Sequence, residues 1–275
     1  MTAVKREPNA WIRQFHPAPE ACTRLLCLPH AGGSASFYFP LSAALSPAVE
    51  VCAVQYPGRG ERLNETTVDN LDTLAAHIVD ALAPWREDQL ALFGHSMGAA
   101  LAFEVAGLLE ARNSVPTALF VSACRAPSRP RAGRVHLMSD SELRAEIGRL
   151  KGTDSRLLDD DDLLRLFLPA IRSDFKAIET YVHRRGPALS CPVFALYGDR
   201  DAGLTRDDMA AWRSHTRGEF ELTEFPGGHF YLSDQIPAVA EIVSTRLQRP
   251  QSPPRHRKEG HHTGDEAAEV ISPQP

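Results

Sequence analysis

The residues best suited to covalent chemistry surround Ser96, in the stretch ALFGHSMGAA at residues 91–100. The letters GHSMG fit the pattern G-x-S-x-G, with apolar strand residues before them and a helical pattern after them. A glycine two residues to either side lets strand and helix approach closely and leaves the hydroxyl exposed on a strained turn. We predict that Ser96 is a nucleophile that attacks a carbonyl. The alternative is a small-residue turn that only allows strand and helix to pack.

A serine hydroxyl is a weak nucleophile until a base takes its proton, so a histidine and an orienting acid should accompany it. His229 lies in EFPGGHFYL, directly after the strand-like FELTEF, in a loop that two glycines can bend sharply. The segment LYGDRDAGL offers two acids at the end of an apolar strand, Asp199 and Asp201. We predict His229 as the general base and Asp201 as the acid, with Asp199 as the alternative acid.

A tetrahedral intermediate on Ser96 also requires hydrogen-bond donors for its negatively charged oxygen. The N–H of Met97, which follows the nucleophile, is one expected donor. The second should come from a loop after an early strand, and LCLPHAGGSAS supplies a loop whose adjacent glycines leave the backbone open. We predict the N–H of Ala31 as that donor. His30 either orients this loop through a hydrogen bond or is an ordinary structural histidine.

The elements that must position these residues alternate along the chain. The strand-like runs are RLLCLPH, VEVCAVQYP, QLALFGHS, TALFVSAC, CPVFALYGD and FELTEFPG, and helical spacing appears in NLDTLAAHIVDALAPW and MGAALAFEVAGLLEARN. Continuous apolar strands separated by helices indicate an α/β fold with a mostly parallel central sheet and helices on both faces.

One connection is much longer than the others. More chain separates Cys124 from Cys191 than a single crossover helix requires. Two amphipathic patterns inside it predict a helical cap at about residues 135–183. The apolar faces of its helices either line a chamber for an acyl group or pack as a core. The aspartates at 159–162 precede the second cap helix and favour its N-terminus, with a metal site as the alternative.

Length and charge narrow the function classes. The 275 residues suffice for one catalytic domain, which we place at residues 1–248, and residues 249–275, rich in proline, charge and histidine, predict a disordered tail. A net charge of −5 provides no basic field for nucleic acid, and no apolar run matches a membrane span. The polar N-terminus and five scattered cysteines predict a cytoplasmic protein with buried, reduced thiols.

With these pieces identified, the chain resembles the type II thioesterases that accompany polyketide synthases and nonribosomal peptide synthetases, a branch of the α/β-hydrolases. The matching segments are LPHAGGSASFYFPLSAAL, VQYPGRGERLNE, LFGHSMGAALAFEVA, YGDRDAGLT and FPGGHFYL, within about residues 24–247. PHAGG, YPGRGER and PGGHF together separate this family from lipases, which share only the serine turn. Asp201-Ala202-Gly203 departs from the D-D-P-like run that is more usual in the family, which leaves the identity of the acid open. The segment after residue 249 has no counterpart there.

The resemblance implies an α/β-hydrolase fold with a cap, a triad of Ser96, Asp201 and His229, and an oxyanion hole built from the N–H groups of Ala31 and Met97. It implies a substrate whose acyl group is a thioester on the phosphopantetheine arm of an acyl- or peptidyl-carrier protein. The expected mechanism is ping-pong, in which acyl-Ser96 forms, the thiol leaves and water deacylates the enzyme. No metal or organic cofactor is expected, and a monomer is the default.

The surface that would meet the carrier is less clearly marked. Two sets of arginines are candidates for contacting an acidic carrier or the pantetheine phosphate, with ordinary structural arginines as the alternative. They are Arg59 and Arg62 in YPGRGER, and Arg125, Arg129, Arg131 and Arg134 before the cap. Three other functions remain open: a carboxylesterase or lipase acting on oxygen esters, an acyltransferase using the same acyl-serine, and a non-catalytic carrier-binding module.

Overall fold

A mostly parallel β-sheet organises the chain. The computed structural model describes residues 9–85, 89–129, 133–150, 161–184 and 186–248. Within these ranges seven strands form one sheet in the order β1-β3-β2-β4-β5-β6-β7, with β1 antiparallel to β3 and every other pair parallel. The strands are β1 (Ile12–Arg13), β2 (Thr23–Leu28), β3 (Glu50–Val54), β4 (Gln89–His95), β5 (Leu119–Ser122), β6 (Val193–Gly198) and β7 (Phe220–Phe225).

Helices cover both faces of this sheet. The described α-helices are α1 (Phe39–Leu45), α2 (Leu71–Ala81), α3 (Met97–Ala111), α4 (Asp140–Leu150), α5 (Asp161–Glu179), α6 (Arg206–Ala210), α7 (Tyr231–Asp234) and α8 (Ile236–Gln248). Helices α2 and α3 share one buried cluster with Leu92 of β4, whereas α1 and α8 share the other with Phe93. Successive strand residues point to opposite faces, so the two-sided burial explains why β4 reads as a continuous apolar run. The α/β fold predicted from the sequence is therefore confirmed.

Helices α4 and α5 lie between β5 and β6, where the sequence predicts a cap. Ser139 and Glu142 begin α4 with reciprocal side-chain-to-backbone hydrogen bonds, a capping box that satisfies amide groups at the helix start. The apolar faces of the two helices pack against each other in a separate buried cluster that includes Leu143, Ile147 and Leu168. The segment 249–275 and the aspartates at 159 and 160 lie outside the described residues.

The burial of the thiols agrees with a further expectation from the sequence. None of the five cysteines forms a disulfide, and Cys27, Cys52, Cys124 and Cys191 are buried. Cys22 is exposed, because it precedes β2 in a surface turn. In the described part of the chain, no helix combines the length and the apolar character that crossing a membrane would require.

Candidate active site

Ser96 occupies a sharp turn between β4 and α3. Its backbone has φ of 56° and ψ of −120°, a strained conformation for a residue with a side chain. A Cβ on Gly94 would lie 2.1 Å from Gly98 O, and one on Gly98 would lie 2.0 Å from Leu28 O. Both contacts are with backbone atoms, which cannot move aside as a flexible side chain can. The G-x-S-x-G spacing is therefore a packing requirement of this turn.

Ser96, His229 and Asp201 form a continuous chain of polar contacts. His229 Nε2 lies 2.9 Å from Ser96 Oγ, and His229 Nδ1 lies 2.7 Å from Asp201 Oδ2. The Asp201 side chain is only 3% exposed, against 21% for His229. A carboxylate only accepts hydrogen bonds, so Nδ1 donates to Asp201 and Nε2 is left with a lone pair towards Ser96. This tautomer allows His229 to accept the proton of the serine hydroxyl.

The two candidate acids make different contacts. Asp201 Oδ1 accepts a hydrogen bond from Gly203 N at 2.9 Å, which leaves Oδ2 for His229. Asp199 instead accepts a hydrogen bond from Gly227 N at 2.8 Å and so braces the loop that carries the histidine. Parallel pairing of β6 with β7 brings these loops together at one sheet edge. The structure thus brings Asp201, and not Asp199, against the His229 ring.

The pairing of strand β2 with strand β4 brings the backbone of Ala31 close to the turn that carries Ser96. Leu28 of β2 pairs with Gly94 of β4. Ala31 and Met97 each lie three residues beyond these partners, so their loops leave the sheet side by side. A Cβ on Gly98 would also lie 2.6 Å from Pro29 O, which shows how closely the two loops pack. Met97 is the first residue of α3, so its N–H has no acceptor within the helix.

Two buried histidines, His30 and His95, lie close to His229. His95 Nδ1 lies 2.9 Å from Ser122 Oγ, which in turn lies 2.7 Å from the hydroxyl of Tyr231. Burial, with smaller contributions from His229 and His30, holds the pKa of His95 well below its usual value. Both histidines are accordingly neutral near pH 7, because burial, His229 and Arg59 lower the pKa of His30 to about 3.

His30 does not make the hydrogen bond considered for it from the sequence. In the described part of the chain its Nδ1 is buried and has no hydrogen-bond partner. Its ring instead packs edge to face with Phe37 and Phe230, at centroid distances of 4.6 and 4.8 Å. A Cβ on Gly33 would lie 2.8 Å from the ring. His30 therefore supports the loop after β2 through packing contacts.

The arginines of YPGRGER face the interior. Arg59 is 3% exposed and forms a two-pronged ion pair with Asp174, at 2.6 and 2.9 Å. Arg62 is 5% exposed, bonds to Glu65 and to Gln55 O, and stacks on the Trp11 ring. The hypothesis that this pair contacts a carrier is therefore wrong, because neither guanidinium reaches the surface.

The second arginine set is placed differently. Arg125 and Arg129 reach out to the backbone oxygens of Gly203 and Asp207. Arg134 is exposed, whereas residue 131 lies outside the described ranges. Of the two sets, this one alone presents described guanidinium groups near the surface.

A cleft of about 760 Å³ lies elsewhere on the molecule, beside Phe103, His183 and His215. Its lining does not include Ser96, Asp201 or His229, so an acyl group bound there would not lie against Ser96. The apolar residues of α4 and α5 bury one another. This supports a role as a packed core for these residues over a role as the lining of an acyl chamber. Across the described residues, no cluster of three or more His, Cys, Asp or Glu side chains suits a metal ion.

The fold and this arrangement of serine, histidine and aspartate define an α/β-hydrolase. The thioesterase domain family matches residues 23–247. The chain is 52% identical over 243 residues to thioesterase PikA5 of Streptomyces venezuelae, covering 88% of this chain and 86% of PikA5. It is 33% identical over 242 residues to the gramicidin S biosynthesis protein GrsT of Aneurinibacillus migulanus, covering 87% and 94%.

Solved structures of thioesterases are similar to this chain in both fold and sequence. The type II thioesterase BorB from the borrelidin biosynthetic cluster matches with a TM-score of 0.83 and 48% identity, over 89% of this chain and 100% of BorB. YbtT, a type II thioesterase from the yersiniabactin pathway, matches with a TM-score of 0.79 and 29% identity, over 86% and 98%. This chain belongs to the thioesterase family. It is an enzyme that hydrolyses acyl thioesters.

Proposed function

We propose that this thioesterase removes acyl groups from the phosphopantetheine arm of acyl- or peptidyl-carrier proteins through an acyl-Ser96 intermediate. The observation that carries the proposal is the chain of contacts from Ser96 through His229 to Asp201, at 2.9 and 2.7 Å, on a strained turn. A hydroxyl held in this way is already oriented towards its base before substrate arrives.

In the first half-reaction Ser96 Oγ attacks the thioester carbonyl while His229 Nε2 takes the hydroxyl proton. Asp201 stabilises the resulting imidazolium through its contact with Nδ1. The C–S bond then breaks, and the pantetheine thiol leaves with the proton from His229. A thiol has a pKa of about 8.5, so its departure requires less protonation than that of an alcohol.

The negatively charged oxygen of the tetrahedral intermediate accepts hydrogen bonds from the N–H groups of Met97 and Ala31. The register between β2 and β4 supports this role, because it sets the two loops side by side. In the second half-reaction His229 Nε2 takes a proton from a water that attacks the carbonyl of acyl-Ser96. The bond from Ser96 Oγ to the acyl carbon then breaks, the carboxylic acid leaves, and His229 returns the proton to Ser96 Oγ.

The names of the relatives support a biosynthetic substrate. GrsT is named for gramicidin S biosynthesis, and BorB and YbtT are type II thioesterases of the borrelidin and yersiniabactin pathways. We therefore assign to this chain the removal of acyl groups from carriers in a polyketide or peptide assembly line. Its partner is the carrier protein. We propose a cytoplasmic location, since cysteines without disulfides suit a reducing compartment, and we take a monomer as the default oligomeric state.

The test compares carrier thioesters with oxygen esters. Carrier proteins loaded with acetyl, propionyl or longer acyl groups are incubated with wild type or Ser96→Ala, and their intact masses are followed. Ser141→Ala is the matched control, because Ser141 is exposed at the start of α4. An oxygen ester of the same acyl group is assayed in parallel.

We expect wild type and Ser141→Ala to remove the acyl mass at equal rates, and Ser96→Ala to leave it in place. The ranking of chain lengths would then report the size of the acyl site. An untouched carrier together with rapid cleavage of the oxygen ester would contradict the proposal and indicate an esterase. Transfer of the acyl group to an added alcohol or amine, in place of water, would indicate an acyltransferase.

A further inference from the structure

A buried ion pair joins the cap to the loop that carries Ala31. Asp174 lies in α5 and Arg59 in the loop after β3, and their side chains are only 2% and 4% exposed. The two prongs of the pair measure 2.6 and 2.9 Å. Two charges this deeply buried are costly to desolvate, and apolar residues of similar volume often stabilise a protein as well or better. A role beyond stability is therefore worth testing.

Both partners also hold the backbone immediately after Ala31. Asp174 Oδ2 accepts a hydrogen bond from Gly32 N at 2.8 Å. Arg59 Nη1 donates a hydrogen bond to Gly33 O at 2.9 Å. The ion pair thus fixes one amide and one carbonyl of the two residues that follow Ala31.

Steric contacts strengthen the same connection. Gly32 has φ of +76°, and a Cβ there would lie 3.0 Å from Ile171 Cγ1 of α5. A Cβ on Gly58 would lie 3.2 Å from Ala170 Cβ on the same helix. One face of α5 therefore rests directly on the loop after β2 and on the loop after β3, with Asp174 between them.

We propose that the Arg59–Asp174 pair positions the Ala31 N–H as an oxyanion donor, so that the cap helix α5 sets the geometry of the transition-state site. This inference rests on the proposed function, because it assumes that Ala31 N–H contacts the tetrahedral oxygen. Arg59 and Asp174 are positioning residues: they act on the reaction through the loop and do not touch the acyl group.

The test measures kcat, KM and inhibitor binding separately. Asp174→Asn removes the charge while nearly preserving the shape of the side chain. The double variant Arg59→Met with Asp174→Leu replaces the pair by apolar side chains and deletes the contacts to Gly32 and Gly33. Lys176→Met is the matched control, because Lys176 lies on the same helix and forms an exposed ion pair with Asp69 at 2.5 Å. A boronic acid that adds to a serine hydroxyl serves as the tetrahedral probe. An unreactive thioether analogue of the acyl-pantetheine serves as the ground-state probe.

We expect Asp174→Asn to lower kcat about 10- to 100-fold with KM changed less than about threefold, because deleting an oxyanion donor outright costs about 10²- to 10³-fold. Boronate affinity should fall with kcat/KM, whereas thioether affinity should not change. The double variant should regain the thermal stability that Asp174→Asn loses, but its kcat should stay low. Lys176→Met should match wild type in kcat, KM and inhibitor affinity.

Recovery of kcat along with stability in the double variant would overturn the inference, since the pair would then be only structural. Unchanged kcat in Asp174→Asn, or a rise in KM alone, would also overturn it. Failure of the proposed function looks different: wild type would not cleave carrier thioesters, or Ser96→Ala would retain activity. The two ideas can therefore fail separately.

Discussion

Replacing Asp201 by asparagine should trap His229 in the wrong tautomer. Asp201 Oδ1 accepts a hydrogen bond from Gly203 N, so the amide oxygen of an asparagine would take that place and its NH₂ would face His229 Nδ1. Nδ1 would then have to accept a hydrogen bond, and the proton would move to Nε2, which faces Ser96. A protonated Nε2 cannot take the serine proton.

The expected loss follows from that geometry. Serine hydrolases with a misplaced tautomer lose about 10⁴-fold in kcat, equivalent to about 5 kcal/mol of transition-state stabilisation. Asp199→Asn is the matched control: its amide oxygen can still accept from Gly227 N, so kcat should fall less than about threefold. Steady-state hydrolysis of an acyl-pantetheine thioester measures both variants, and circular dichroism verifies that both are folded.

Two results would refute this reasoning. The first is an Asp201→Asn enzyme within about tenfold of wild type, which would mean that Asp201 does not set the tautomer. The second is a large loss in Asp199→Asn with a nearly silent Asp201→Asn, which would make Asp199 the triad acid.

Four other substitutions test the packing and electrostatics of the fold around the site. Gly98→Ala should destabilise the protein by about 3 kcal/mol or more in urea unfolding, because its Cβ would meet Leu28 O at 2.0 Å. Gly107→Ala in the same helix should instead stabilise by about 0.5–1 kcal/mol, because the added Cβ would meet no atom within 4 Å outside the helix's own neighbouring backbone. Tyr231→Phe should cost about 1–2 kcal/mol by removing the hydroxyl that contacts Ser122 Oγ, and an unchanged urea midpoint would contradict this. Burial lowers the pKa of His30 to about 3, so between pH 7 and pH 5 this imidazole takes up a proton only in the unfolded chain. The free energy of unfolding should therefore decrease as the pH is lowered from 7 to 5. Wild type should therefore lose about 2 kcal/mol more than His30→Gln over this interval, and equal losses would count against a buried neutral His30.

The sequence predicts the elements that depend on local patterns. Strands β2 to β6 read as apolar runs because both faces of the sheet are buried there, and the serine turn is visible because backbone contacts require Gly94 and Gly98. The strand β1 was missed, since two residues that pair antiparallel with β3 carry no periodic signal of their own.

Contacts between segments far apart in the chain could not be predicted from the sequence either. Arg59 and Asp174 are separated by 115 residues, so no local pattern could pair them. One signal was present: Asp174 falls between Ile171 and Ile178 at helical spacing, a carboxylate on the apolar face of α5. A charge in that position indicates a buried partner of opposite charge, but helical spacing alone does not identify that partner as Arg59.

The most direct test of the acyl-serine mechanism is covalent labelling with a fluorophosphonate, which forms a stable ester with an activated serine hydroxyl. The mass of the labelled protein, the labelled peptide and the remaining thioesterase activity are measured together. We predict one label per chain, located on Ser96, with activity falling in proportion and with no label on Ser96→Ala. A label on another residue, or full thioesterase activity after Ser96 is completely labelled, would contradict the account.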